Sequence, residues 1–159
     1  MDVADKIVTL EQLDKLRKHW RAVGDTVVFT NGCFDILHRG HVSLLNECAT
    51  LGDRVVVGLN SDSSVKKLKG STRPIQTEQD RAYILASLKN VDAVIVFDEE
   101  TPLKLIEHLM PNVLVKGGDY QINDIVGADT VQASGGKVIL FPLLAERSTT
   151  LILAKSNHN

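Results

Sequence analysis

The sequence predicts an α/β domain built on a doubly wound, mainly parallel sheet with helices on both faces. Three observations predict it. Short apolar runs such as Val27-Val28-Phe29 and Val55-Val56-Val57 lack the polar alternation of a half-exposed strand, which marks strands buried on both sides. Between such runs lie segments whose apolar residues recur at helical spacing. The two kinds alternate along the whole chain, and parallel strands joined through helices require right-handed crossovers.

Each element has its own local reason. Thr9 and Gln12 have capping-box spacing ahead of a helix whose Leu13, Leu16, Trp20 and Val23 share one face, with Gly24 as its stop. Residues 26–30 form the first strand. A second helix follows His38, with Val42, Leu45 and Ala49 inward and Gly52 closing it. Residues 54–59 are the second strand. Residues 61–75 are polar, rich in lysine and interrupted by Gly70 and Pro74, so a loop or partial helix is expected there. Thr77 caps a third helix that turns Ile84, Leu85 and Leu88 to the core, and residues 93–97 are the next strand. Thr101 is the expected cap of a helix with Pro102 at its first position, ending near Met110. Residues 113–115 form a strand that runs into a glycine turn at 116–120. Residues 125–134 are expected to be helical, 137–141 a strand and 149–155 a short last helix. No repeat, low-complexity tract or linker interrupts the pattern, so one domain is expected over residues 1–159.

Composition narrows the function. Hydrophobic residues make up 43% of the 159 and charged residues 24%, ordinary for a soluble globular chain. A net charge of -2 provides no broad basic field for nucleic acid or anionic lipid, so any phosphate-binding surface has to be local. Cys33 and Cys48 form neither a disulfide framework nor a zinc knuckle and read as reduced thiols. Residues 1–10 lack a signal-peptide core, and no run approaches the ~20 apolar residues of a membrane span. A cytoplasmic protein with a small-molecule site, and neither a nucleic-acid nor a membrane partner, is expected.

In a doubly wound sheet, ligands lie beyond the carboxyl ends of the strands where the strand order reverses. That directs attention to residues 31–41, 60–69 and 116–120. The strongest signal is Thr30-Asn31-Gly32-Cys33-Phe34-Asp35-Ile36-Leu37-His38-Arg39-Gly40-His41, which leaves a strand and enters a helix. A helix N-terminus offers unpaired N–H groups and about half a positive charge, which suits an anion. His38 and His41 fall on one face of that first turn, and Gly40 admits a ligand close to the backbone. Zinc binding by the His pair, two core histidines, or a Cys33 nucleophile are weaker alternatives, because no third metal ligand or thiol-activating context is visible. Neither the dinucleotide-binding Gly-x-Gly-x-x-Gly nor a P-loop is present.

These residues carry a resemblance. His38-Arg39-Gly40-His41 resembles the His-x-Gly-His signature of the cytidylyltransferase-like nucleotidyltransferases, whose fold is Rossmann-like. Together with Asn60-Ser61-Asp62, residues 65–70, Arg73-Pro74 and Lys116-Gly117-Gly118-Asp119-Tyr120, it resembles the heptose 1-phosphate adenylyltransferases. The resemblance implies transfer of AMP from ATP, with Mg²⁺, to D-glycero-β-D-manno-heptose 1-phosphate. The products are ADP-heptose and pyrophosphate, for lipopolysaccharide or surface-glycan assembly. It implies His38, His41, Lys69 and Arg81 as catalytic groups. Nucleotide contacts are implied for Thr30, Asn31, Gly32, Cys33, Phe34, Asp35, Gly40, Lys116, Gly118, Asp119, Ser148, Thr149 and Thr150. Lys66, Asp62 and Tyr120 are implied to face the sugar phosphate. Lys66 and Lys67 compete with Lys69 for the catalytic role, and Asp35 either contacts a sugar hydroxyl or holds the turn together. Glu146 and Arg147 stand where relatives have a glycine two residues before the serine. The resemblance also implies a homodimer. A CTP-dependent enzyme acting on glycerol phosphate and a non-catalytic nucleotide-binding regulator remain the alternatives.

Overall fold

Five strands, β1 (Val27–Gly32), β2 (Arg54–Asn60), β3 (Ala93–Phe97), β4 (Val113–Gly117) and β5 (Lys137–Phe141), pair in the order β3-β2-β1-β4-β5. Every pairing is parallel. This is a computed structural model, and it describes residues 1–142 and 149–157. The chain winds outward from β1 to β3, then crosses back to β4 beside β1, so the strand order reverses at the β1–β4 boundary. A crevice opens there at the carboxyl ends of the strands.

The helices are α1 (Leu10–Val23), α2 (Arg39–Leu51), α3 (Asp62–Lys69), α4 (Glu78–Ala86), α5 (Leu103–Leu109), α6 (Ala128–Ala133) and α7 (Thr149–Ser156). One core joins Leu13 and Trp20 of α1, Ile106 of α5 and Val131 of α6 to Phe29, Val56 and Leu114 of the sheet. The other joins Leu45 and Cys48 of α2 and Leu85 of α4 to Val28, Val57 and Val115. Alternate strand residues feed the two sides, which explains why the strands read as unbroken apolar runs. Each fully buried side chain of this size contributes roughly 1.5–3 kcal/mol.

Local signals act as their chemistry dictates. The Thr9–Gln12 capping box forms, and Gly24 ends α1 at φ 83. Three expectations are corrected. Val23, at the last helical position beside the Gly24 turn, is 58% exposed rather than inward. Within residues 61–75, where a loop or partial helix was expected, residues 62–69 form the helical part, capped by Ser61 accepting from the Ser64 amide. Only Ser64 and Val65 of that helix are buried, so its sequence carries no apolar stripe to announce it. Pro102 rather than Thr101 occupies the N-cap of α5, without a side-chain cap. The expected helix over 125–134 is shortened to α6 (Ala128–Ala133), which starts only after Gly127 at φ 84.

Candidate active site

A cavity of about 570 Å³ opens at the carboxyl ends of the strands. β1 delivers Asn31 and Gly32 into it, and the chain then turns through Phe34, which holds a φ of 45. A non-glycine residue at positive φ is an uncommon conformation that has to be held by its surroundings. The Phe34 ring is buried, and it lies 5.0 Å from His41 at an interplanar angle of 58°. A β-carbon on Gly32 would come within 3.1 Å of that ring, which explains the glycine.

The two histidines cap α2 reciprocally. His38 Nδ1 accepts from the Gly40 amide at 3.1 Å, and His41 Nδ1 accepts from the His38 amide at 3.3 Å. The rings stack with centroids 3.7 Å apart. A neutral imidazole that accepts through Nδ1 carries its proton on Nε2, so this network assigns both rings the Nε2–H tautomer. Burial, helped by His38 and Lys69 nearby, pushes His41 down to about 4. His41 is therefore a neutral donor at pH 7, and a sequence signal for two rings becomes a geometry for donating hydrogen bonds to an anion.

Asp35 is 1% exposed and holds a neighbouring loop. It accepts from Arg73 Nε at 2.6 Å, from the Ile75 amide at 2.9 Å and from the Gln76 amide at 3.0 Å. Burial alone would raise its pKa, but the two amides and Arg73 together hold it below the usual carboxylate value. Of the two roles expected for Asp35, holding the turn together is the one its bonds perform.

Arg81 departs furthest from expectation. Its side chain is 0% exposed. Nε donates to the Gln76 carbonyl at 3.0 Å, and one terminal nitrogen donates to the Cys33 and Asn60 carbonyls at 2.7 and 2.8 Å. The other reaches Asp62 at 2.8 Å. The guanidinium thus sits behind the cavity and binds four protein acceptors, so in this arrangement its charge is met by Asp62 rather than by a ligand. Asp62, its partner in that bond, does not line the cavity. Lysines can be sorted the same way. All three are exposed, but Lys69 lines the cavity whereas Lys66 and Lys67 do not.

Of the remaining expected contacts, Cys33, Gly40, Lys116, Tyr120, Thr149 and Thr150 line the cavity. Burial raises the Cys33 thiol above its usual pKa despite the cations around it, which leaves it a poor nucleophile. Lys116 is lowered by burial, and its ammonium lies 5.5 Å from the Tyr120 ring centre. The Thr149 hydroxyl, at the start of α7, donates to the Ile36 carbonyl at 3.1 Å and pins that helix to the β1–α2 turn. Thr30 is 0% exposed inside β1 and does not line the cavity. Gly118, at φ 127, gives its amide to the Phe141 carbonyl, and Asp119 points to solvent outside the lining. Ser148, Glu146 and Arg147 lie outside the described residues. Sequence reasoning missed Arg73 as a lining residue, along with Glu100, Thr101 and Pro102 after β3 and Asp124, Ile125 and Val126 before α6. Arg73 was visible only as part of the Arg73-Pro74 pair in the resemblance, and for the others the position after strands β3 and β4 was the available signal.

The family model described as cytidylyltransferase-like matches residues 29–154, which span all the elements just described around the cavity. The bifunctional protein HldE of Caulobacter vibrioides is 55% identical over 152 residues, 96% of this chain and 32% of that protein. HldE of Koribacter versatilis is 51% identical over 152 residues, covering 96% of this chain and 31% of the relative. The chain thus spans about a third of the length of these curated relatives. Among solved structures, the lipopolysaccharide core biosynthesis protein of Thermoplasma volcanium superposes with a TM-score of 0.60 at 30% identity, covering 76% of this chain and 98% of that one. The pantoate-beta-alanine ligase of Francisella tularensis shares the fold, with a TM-score of 0.65 at 21% identity over 91% of this chain and 68% of that one.

Proposed function

The chain belongs to the cytidylyltransferase-like family, and from that premise we propose that it is an adenylyltransferase joining AMP from ATP to D-glycero-β-D-manno-heptose 1-phosphate. The observation that carries the proposal is the stacked pair His38 and His41 at the head of α2, tautomer-locked by backbone amides beside Lys69. The HldE relatives and the lipopolysaccharide core biosynthesis protein support the choice of a sugar phosphate over other acceptors.

In the proposed reaction a phosphate oxygen of the sugar attacks the α-phosphorus of ATP. A new P–O bond forms, the bond from the α-phosphorus to the α,β-bridging oxygen breaks, and pyrophosphate leaves with that electron pair. A phosphate monoester carries about -1.5 to -2 charge at neutral pH, so the nucleophile is already ionised and needs no general base. The protein's task is positioning and charge stabilisation. His41 donates through Nε2–H, Lys69 follows the charge as it moves to the leaving group, and Lys116 and the first turn of α7 flank the phosphates. Among the described residues no three His, Cys, Asp or Glu side chains assemble into a metal site. Mg²⁺ accompanying ATP would supply further charge neutralisation on the phosphates beside Lys69.

The reading includes a single domain over residues 1–159, a homodimer and a cytoplasmic location. No helix among the described residues is long and apolar enough to cross a membrane. The test is pyrophosphate release from ATP and from CTP, each with heptose 1-phosphate and with glycerol 3-phosphate. Release from ATP with the heptose is expected. Release only from CTP with glycerol phosphate overturns the substrate assignment, and nucleotide binding without release under any pairing makes the chain a regulator.

A further inference from the structure

The cavity has walls of opposite charge. Toward α2 and α3 it is lined by the Lys69 ammonium, by Arg73 paired with Asp35, and by the neutral donor His41. The wall built by the β3–α5 loop and the segment before α6 presents instead Glu100, Thr101 and Asp124, beside Tyr120 and Val126. The carboxylates on the cation side are committed to protein partners, as Asp35 is to Arg73. Glu100, Thr101 and Asp124 engage no hydrogen bond or ion pair through their side chains among the described residues, and all three are exposed. Tyr120 is 47% exposed and Val126 39%, so an aromatic ring and an aliphatic surface face the same space.

This chemistry selects its ligand. A carboxylate only accepts hydrogen bonds, through two oxygens that suit adjacent hydroxyl donors. Phosphate would be repelled by both carboxylates, which confines the polyphosphate to the other wall. An adenine edge offers one amino donor beside ring-nitrogen acceptors, a poorer match for a carboxylate than adjacent hydroxyls. A neutral, polyhydroxylated ring is the match, with its hydroxyls toward the carboxylates and a C–H face against Tyr120 and Val126. We propose that this wall is the subsite for the acceptor's sugar ring, Glu100 and Asp124 accepting from its hydroxyls while Tyr120 covers one face. The inference rests on the adenylyltransferase reading for the identity of the acceptor, and it assigns the sugar side of the cavity to residues from two separate loops.

The test compares Glu100→Gln and Asp124→Asn, isosteric changes at exposed positions, in the purified chain. Each is expected to raise the KM for heptose 1-phosphate roughly tenfold while leaving ATP-analogue affinity by calorimetry close to wild type. Loss of ATP-analogue affinity with an unchanged sugar KM overturns the proposal and moves the nucleoside to this wall. Equal KM and equal affinity in the variants and the wild type also overturn it. If the wild type releases no pyrophosphate, the proposed function fails separately. The subsite is then decided by direct binding of heptose 1-phosphate, followed by saturation-transfer NMR: binding lost in the double variant supports it, and binding retained refutes it.

Discussion

The two ends of the sheet each carry a cavity of similar size, about 450 Å³ at the amino ends of the strands and about 570 Å³ at the carboxyl ends. Their polar groups are used in opposite ways. At the amino end Asp53 accepts from the Thr26 amide, Asn112 from the Val27 amide and Asp92 from the Val55 amide, all at 2.8 Å. Arg54 ties Asp25 at 2.7 Å and reaches Asp92 at 3.6 Å. Side chains there close the backbone of the sheet. At the carboxyl end His41 and Lys69 line open space, and no described residue takes the His41 Nε2–H. The amino end thus commits Asp53, Asp92 and Asn112 to the sheet's own backbone, although the side chains of Arg21 and Lys137 on that cavity's wall make no such bond among the described residues. The carboxyl end instead gathers His41 and Lys69 about the first turn of a helix.

Arg81 is the sharpest challenge to that contrast, because it lies at the carboxyl end yet is bonded like a residue of the amino end. If its guanidinium serves the protein, Arg81→Ala leaves Asp62 and three carbonyls without their donor. The expected loss is ~3–5 kcal/mol in urea unfolding, the range for breaking a buried pair. A variant with wild-type stability and weakened ATP binding would return Arg81 to the ligand and break the comparison.

His41→Ala should show the reverse profile. The expected loss is ~10²–10³ in kcat, the usual effect of removing one preorganised donor, with the fold retained by circular dichroism. The same ring adds a pH signature. His41 is ordinarily half-protonated near 6.5 and in the fold only near about 4. Between those values the unfolded chain binds a proton that the folded one refuses, so stability falls as pH drops through this window and rises with pH. Urea midpoints measured from pH 7 to 4 should decline more steeply in the wild type than in His41→Gln. Equal slopes would remove the buried neutral ring from the account.

Lys69→Ala and Lys66→Ala sharpen the comparison within one helix. Lys69 lines the cavity and Lys66 does not, so a rate loss of ~10² is expected for the first and near-wild-type turnover for the second. Similar losses in both would mean that exposure, rather than position on the cavity wall, makes these lysines catalytic.

What the sequence disclosed follows the same division. Signals that are local in the chain were legible: the Thr9 cap, the Gly24 stop, the apolar strands and the turn from Asn31 into the helix of His38 and His41. Each depends on spacing within a few residues. Two kinds of feature were hidden. Helix α3 shows only Ser64 and Val65 to the core, so periodicity had nothing to register. Arg73, Glu100 and Asp124 meet only because loops distant in the chain converge above the sheet. Arg81 was found for its charge, but the four protein acceptors around its guanidinium were not legible, because a sequence does not show what surrounds one side chain.

Asn112→Ala tests the amino end. It removes the acceptor for the Val27 amide at the start of β1, and a loss of about 1 kcal/mol with no change in turnover is expected from one such hydrogen bond. A fall in kcat without a fall in stability would make the amino-end hollow functional after all.

Thr30 supplies the smallest effect and the finest discrimination. The family resemblance implies it as a nucleotide contact, but its Oγ1 is buried and has no hydrogen-bond partner among the described residues. A buried hydroxyl without a partner costs stability relative to a methyl group of the same shape. Thr30→Val should therefore raise stability by roughly 1 kcal/mol or less and leave the KM for ATP unchanged. A raised KM in a stably folded variant would mean that the hydroxyl finds its partner in the bound nucleotide, extending the site one residue deeper into β1 than the cavity wall indicates.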